Sequence, residues 1–371
     1  LRIGYISIAS PFDRASWSGV PWYSHNEVKG RFTDTHVIDT PRLDKVVTRL
    51  APLARAGILV SREPLIAKAF SRYVDRQLDA IAPDVIVAVG AAHKLAYINP
   101  KWPMVYIADA LFGTIINYYD QYRTLSARTR RVGDDMQRAL VNRPNNILMM
   151  TSQWGADMAA ADYGIPADRL MPTPYGANLE VDPGFQSPVT DGPLRLLFAG
   201  YAWERKGGPL VLEIWRKLRE RTGNAEFHIV GCRPPEAEGL DGVHVHGLLR
   251  KSVPQEYRRF VDLFAQSSFF LMPSRQEAFG LVYCETAAFG RPAVGISTGG
   301  VTTIVRDGET GLLMPPGSSA EAYADRILGV WSDSAAYTRL CHAARQDYER
   351  RLNWRAWGDR LEIALRRATG R

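Results

Sequence analysis

Cysteine is scarce: Cys232, Cys284 and Cys341 are the three in 371 residues, and no CxxC pair occurs. That excludes a disulfide framework and a thiolate metal knuckle, and it agrees with a reducing compartment. No apolar run is long enough to cross a bilayer, and the first residues lack the charged start and cleavage site of a signal peptide. The chain opens on Leu1 rather than Met, as one trimmed upstream would, and the expected location is the cytoplasm. Neither GxxxxGK[ST] nor GxGxxG is present, so there is no Walker loop and no dinucleotide fingerprint. Asp-x-Asp is absent too, which removes a common acidic clamp for a metal-bound diphosphate. No recognition-helix or RNA-binding signature appears, so nucleic acid is not an expected partner.

A length of 371 residues exceeds what one core usually fills, so two domains are expected. An apolar content of 46% with 23% charged residues is that of a soluble globular chain. The net charge of +7 favours anionic partners such as nucleotide phosphates or a phospholipid surface, although a generally basic surface accounts for it equally well.

Residues 1–8 read as a strand, followed by a loop holding Gly19; further strands fall near 37–38, 84–90, 103–109 (ending on Asp109) and 145–150. Residues 42–80 have helical spacing, divided at Pro52 and Pro64, and Ser152 is placed to cap a helix. A turn-rich break spans 182–193. Strands then recur at 194–199, 226–230, 243–246, 268–272, 293–296 and 311–314, with an amphipathic helix from Trp354. Strand–helix alternation predicts an α/β protein with two Rossmann-like parallel-sheet domains, 1–182 and 183–353, facing a central cleft. Residues 354–371 are expected to pack back towards the first domain. In open parallel sheets ligands bind beyond the carboxyl ends of strands, where Gly19, Asp109, Arg205, Lys206 and Glu277 fall.

The stretch Phe269–Pro292 carries the most chemistry. An apolar strand stops at Pro273-Ser274, Glu277 follows, and a helical pattern starts at Phe279-Gly280-Leu281 with Glu285 inside it. A helix start offers bare N–H groups and partial positive charge, which suit a phosphate. Ionised carboxylates only accept hydrogen bonds, which suits the hydroxyls of a sugar or ribose. Arg205-Lys206-Gly207-Gly208 directly after a strand adds two cations for a diphosphate. Together these point to a diphosphate between two polyols, that is, a nucleotide sugar. Two other patterns carry less. Gly295-Ile296-Ser297-Thr298-Gly299 matches the nucleophile elbow GxSxG, but no long helix follows Ser297. His244 and His246 alternate on a strand at a spacing open to a shared metal, without an obvious third ligand.

The blocks Phe198-Ala199-Gly200 with Arg205-Lys206-Gly207, Phe227–Gly231, Val245-His246-Gly247, Met272–Glu285 and Gly308–Leu313 resemble glycosyltransferase family 4, the retaining, metal-independent enzymes of GT-B architecture. Ser152-Gln153-Trp154, Tyr163-Gly164 and Pro174–Asn178 resemble the family's approach to its linker more faintly. The resemblance implies that Glu277 contacts donor-sugar hydroxyls and Glu285 the ribose. It implies that Arg205 and Lys206 bind the diphosphate, helped by backbone N–H groups of Phe279, Gly280 and Leu281, with Gly19 near the donor. Asp109 stands where many members have His, so its role is open between base and sugar contact. The family often has two glycines around Gly19, and Thr303 replaces a common glutamate. The implied donor is a UDP- or GDP-sugar, with no other cofactor and no metal. The implied acceptor is a glycan, a lipid-linked glycan or another hydroxyl, and basic segments at 42–80 and Arg123–Arg131 leave a peripheral anionic-membrane contact open. A sugar-nucleotide epimerase on the same fold and a non-catalytic nucleotide binder are the alternatives.

Overall fold

The computed structural model describes all 371 residues, and they form two α/β units. The first unit holds β1 (Ile3–Ser7), β2 (Thr35–Val37), β3 (Val85–Val89), β4 (Met104–Ala108) and β5 (Asn146–Met150). These pair in the order β2-β1-β3-β4-β5, every neighbour parallel. The second unit holds β6 (Leu194–Ala199), β7 (Ala225–Val230), β8 (Val243–Gly247), β9 (Phe269–Leu271), β10 (Ala293–Ile296) and β11 (Gly311–Met314). Their order is β11-β10-β9-β6-β7-β8, again all parallel. Strands β3, β4 and β9 are buried throughout, which is why each reads as an unbroken apolar run. Edge strand β8 is half-exposed and alternates instead.

The first unit comprises Leu1–Tyr175 together with Trp354–Arg371, and the second Gly176–Asn353. The division therefore lies ahead of the 182/183 break that the turn formers suggested. The reason is that the turn-rich segment is fastened inside the second unit. Arg345 grips Asp182 with both terminal nitrogens, at 2.6 and 2.9 Å, and donates to the Ala288 carbonyl. Phe185 stacks on His342 at 4.4 Å.

The final helix, Trp354–Thr369, buries Trp357, Leu361 and Leu365 against β4, β5 and the helix Val20–Arg31 of the first unit. Tyr23 stacks on Trp354, and Arg31 reaches across to Glu362 at 2.8 Å and to the Arg355 carbonyl at 2.7 Å. Leu361 is fully buried, so Leu361→Ala should lower stability by about 2–5 kcal/mol. Denaturant unfolding of the whole chain, followed by tryptophan fluorescence, measures it.

Candidate functional site

The strand order of the second sheet reverses at β6, which has β7 on one side and β9 on the other. Crossovers leave such a point in opposite directions, so the loops after β6 and β9 part and a crevice opens at their carboxyl ends. Arg205 and Lys206 lie on the first of these loops and Glu277 on the second. The loops are fastened side by side. The Arg275 N–H donates to the Arg205 carbonyl at 3.0 Å, and Arg205 Nη1 donates to the Gln276 carbonyl at 2.8 Å. Gly207 takes φ +80°, and a Cβ there would lie 2.3 Å from the Pro273 carbonyl oxygen. Only glycine permits that approach.

Glu277 is 7% exposed and pairs directly with the Lys206 ammonium, with Arg205 Nη1 3.9 Å away and Ser274 Oγ donating at 3.4 Å. A carboxylate this buried is tolerable because cations and donors surround it. The Glu277 carbonyl accepts from the Gly300 N–H at 3.0 Å. A Cβ on Gly300 would meet the Ala278 carbonyl oxygen at 2.1 Å. The Gly299-Gly300 turn is thus the outer support of the Glu277 loop.

Gly280, at φ +91°, caps the helix Leu281–Ala288, and Tyr283 locks that helix to the end of β9 by donating to the Met272 carbonyl at 2.5 Å. Glu285, 4% exposed, projects from the same helix. Burial pushes its carboxyl above the ordinary range, while the Lys251 ammonium and the Asn178 N–H pull it back. Lys251 Nζ donates to Glu285 Oε1 at 2.5 Å and to the Asn178 carbonyl at 3.0 Å. Three cations, Arg205, Lys206 and Lys251, thus attend two carboxylates. Lys251 carried no signal of its own, because a lysine in a basic turn reads as solvated surface; its place just after β8 was the only clue.

The other two predicted site residues belong to the first unit. Gly19 follows β1 at φ +84°, behind Trp17 and Ser18, which are also left-handed. Trp17 packs so closely on Gly90, after β3, that a Cβ there would lie 2.8 Å from its ring. Asp109, half-buried at the end of β4, accepts from Thr151 Oγ1 at 3.3 Å.

Several further expectations resolve differently. The basic Arg123–Arg131 segment is largely exposed, but several of its cations are already paired. Arg128 forms a forked pair with Glu63 at 2.6 and 2.8 Å, Arg123 pairs with Asp120, and Arg130 donates to the Tyr122 carbonyl. By contrast, no residue of the helix Pro41–Leu50 is buried. Val46, Leu50 and, just beyond, Leu53 are exposed beside Arg42, Lys45, Arg49 and Arg55. Ser297 is followed only by the four-residue helix Val301–Ile304, so no elbow forms. His246 turns to His228 and Arg259, at 3.1 and 2.8 Å. The groups close enough to share an ion are instead Glu226, His228 and His244, and there the Arg195 guanidinium already sits 2.8 Å from Glu226.

Residues 193–333 match the family model for glycosyl transferases group 1. D-inositol 3-phosphate glycosyltransferases of Xylanimonas cellulosilytica and Streptomyces griseus are each 30% identical, over 52% and 54% of this chain and 50% and 46% of theirs. The chain thus spans about half the length of the curated relatives it matches. Among solved structures, sucrose-phosphate synthase of Thermosynechococcus elongatus superposes with a TM-score of 0.68 at 17% identity, covering 98% of both chains. HepE of Anabaena, in complex with UDP and glucose, gives 0.66 at 16% identity, covering 98% of this chain and 99% of its own. At such identities the likeness carries the fold alone, and that fold is GT-B.

Gly207→Ala should lower the melting temperature clearly, because strain of about 1–3 kcal/mol adds to the clash with Pro273. Gly30→Ala, in the last turn of the helix Val20–Arg31 with no atom within 4 Å of its Cβ, should leave it unchanged or raise it. Differential scanning fluorimetry of both variants measures the contrast.

Proposed function

We propose that this chain, a family 4-type glycosyltransferase by its C-terminal half, moves a sugar from a UDP- or GDP-sugar to a hydroxyl of a glycan or lipid-linked glycan. The reading adds retention at the anomeric carbon and no requirement for a metal ion. The observation that carries it is the meeting of Arg205, Lys206 and Glu277 with the start of the helix Leu281–Ala288 at the β6/β9 reversal. Cations and bare N–H groups suit a diphosphate; the buried acceptors on either side suit hydroxyls. The Anabaena neighbour holds UDP and glucose, the two parts into which a UDP-sugar donor of this kind divides.

In this reaction the bond between the anomeric carbon and the phosphate oxygen breaks, and the acceptor oxygen bonds to the same face of that carbon. The acceptor proton passes to an oxygen of the departing diphosphate. Arg205, Lys206 and the N–H groups of Phe279, Gly280 and Leu281 balance the charge that develops there. Glu277 holds sugar hydroxyls and Glu285 the ribose. Asp109 is either a base or a sugar contact.

The donor reading predicts that UDP or GDP raises the melting temperature of the wild-type chain. Arg205→Ala should reduce turnover by about 10²–10³. Activity should survive EDTA; loss of turnover on chelation, or wild-type turnover in the Arg205 variant, contradicts this account of the leaving group.

A lipid-linked acceptor and a peripheral membrane contact gain support from the segment at 41–55. An amphipathic helix with no buried residue and with basic and apolar groups side by side is built to lie on anionic lipid. The wild-type chain should float with phosphatidylserine-containing liposomes and not with zwitterionic ones, and Val46→Asp with Leu50→Asp should abolish flotation. Both residues are exposed, so the pair should cost little stability.

A further inference from the structure

Lys251 stands out among the charged side chains of the second unit because all of its donors are directed by the fold. Its ammonium has three N–H groups. It meets Glu285 Oε1 at 2.5 Å, the Asn178 carbonyl at 3.0 Å and the face of the Phe260 ring at 4.5 Å. Three separate parts of the chain therefore fix one nitrogen: the helix Leu281–Ala288, the first residues of the second unit, and the helix Pro254–Gln266. The Glu180 N–H donates to Tyr257 Oη at 3.0 Å, which holds the Asn178 segment against that last helix. Flexible lysines at a solvated surface make no such tripod.

Glu285 needs this arrangement. A carboxylic acid at 4% exposure favours its neutral form, and a neutral acid keeps one oxygen occupied by its own proton. Recognition of a vicinal diol calls for two acceptor oxygens at once. We propose that Lys251 is a positioning residue, which keeps Glu285 ionised and aimed so that both oxygens can accept hydroxyl protons from the ribose of a nucleoside diphosphate. The inference rests on the donor reading above and extends it to a side chain outside the blocks that resemble the family.

The pH behaviour follows from the groups around Glu285. Besides Lys251, the titratable side chains that face it are Tyr201 after β6, Tyr257 on the helix Pro254–Gln266 and Cys284 on its own helix. Burial pushes all three upward, so they stay neutral through the neutral range. Only Glu285 and Lys251 are left to set the local charge. Burial raises the carboxyl and Lys251 opposes that rise. Without the ammonium the carboxyl rises further, so protonation, and with it loss of diol binding, moves into the neutral range. Binding should then return as pH increases.

The test is calorimetric titration of UDP and of GDP into the full chain across pH 6 to 9 (roughly the span over which a buried carboxyl titrates). The wild type should bind one of the two nucleotides with little pH dependence. Lys251→Met should bind it about tenfold more weakly at neutral pH and recover as pH rises, as expected for loss of one charge-assisted contact. Lys251→Arg should restore most of the affinity. Glu285→Gln, neutral at every pH, should be weak throughout and show no alkaline recovery, which keeps the idea testable if Lys251→Met does not fold. A Lys251→Met titration that is flat with pH overturns the role of Lys251 while leaving the donor reading intact, and a Glu285→Gln protein that binds like the wild type overturns both that role and the ribose contact of Glu285. A wild type that binds neither nucleotide overturns both.

Discussion

The reversal of strand order between β6 and β9 is the constraint on which the second unit depends. The two strands are joined by a short pairing, Leu196 with Phe269 and Leu197 with Phe270, so the loops that leave them begin as neighbours. Their following helices must then depart to opposite faces of the sheet. Everything chemical in the unit is a consequence of filling that divergence. Gly207 lets one loop lie on the Pro273 carbonyl, Gly300 supports the other from outside, and Gly280 turns the chain into a helix whose start faces the crevice. Each position is held by backbone contact that a side chain would prevent, so the site is shaped by what is missing from these residues.

Into that frame the fold inserts two nearly inaccessible carboxylates, each matched by a lysine from elsewhere in the chain. Lys206 reaches Glu277 across 71 residues of sequence, and Lys251 reaches Glu285 across 34. The pairings differ in kind. Lys206 shares Glu277 with Arg205, so two cations sit together on the loop after β6. Lys251, 28% exposed, is instead held by Glu285, the Asn178 carbonyl and the Phe260 ring. One lysine is placed to meet phosphate, whereas the other is placed to serve its carboxylate.

The strands were legible because buried parallel strands are continuous apolar runs, and Phe269–Leu271 or Val85–Val89 can be read as little else. The site was legible wherever chemistry follows a strand directly, as with Arg205, Lys206 and Glu277. What escaped depends on partners distant in sequence. Lys251 gives no hint of Glu285 or Asn178, and Arg128 gives none of its exposed pairing with Glu63, 65 residues away. Asp182 sits among turn formers, which mark where a chain bends but not which core it joins. Its partner Arg345 lies 163 residues further on. The helix Pro41–Leu50 is the opposite case: its spacing is that of a core helix, yet none of its residues is buried.

The helix Trp354–Thr369 has a consequence for the order in which the protein is made. It completes the core of the first unit, but it leaves the ribosome only after the whole second unit has emerged. The nascent first unit must hold β4 and β5 partly uncovered while about 180 further residues are synthesised, some ten to forty seconds at ordinary elongation rates. The second unit is continuous in sequence and can close as soon as it appears. Maturation therefore runs against the usual direction, with the first unit waiting for a helix encoded beyond the second to seal it.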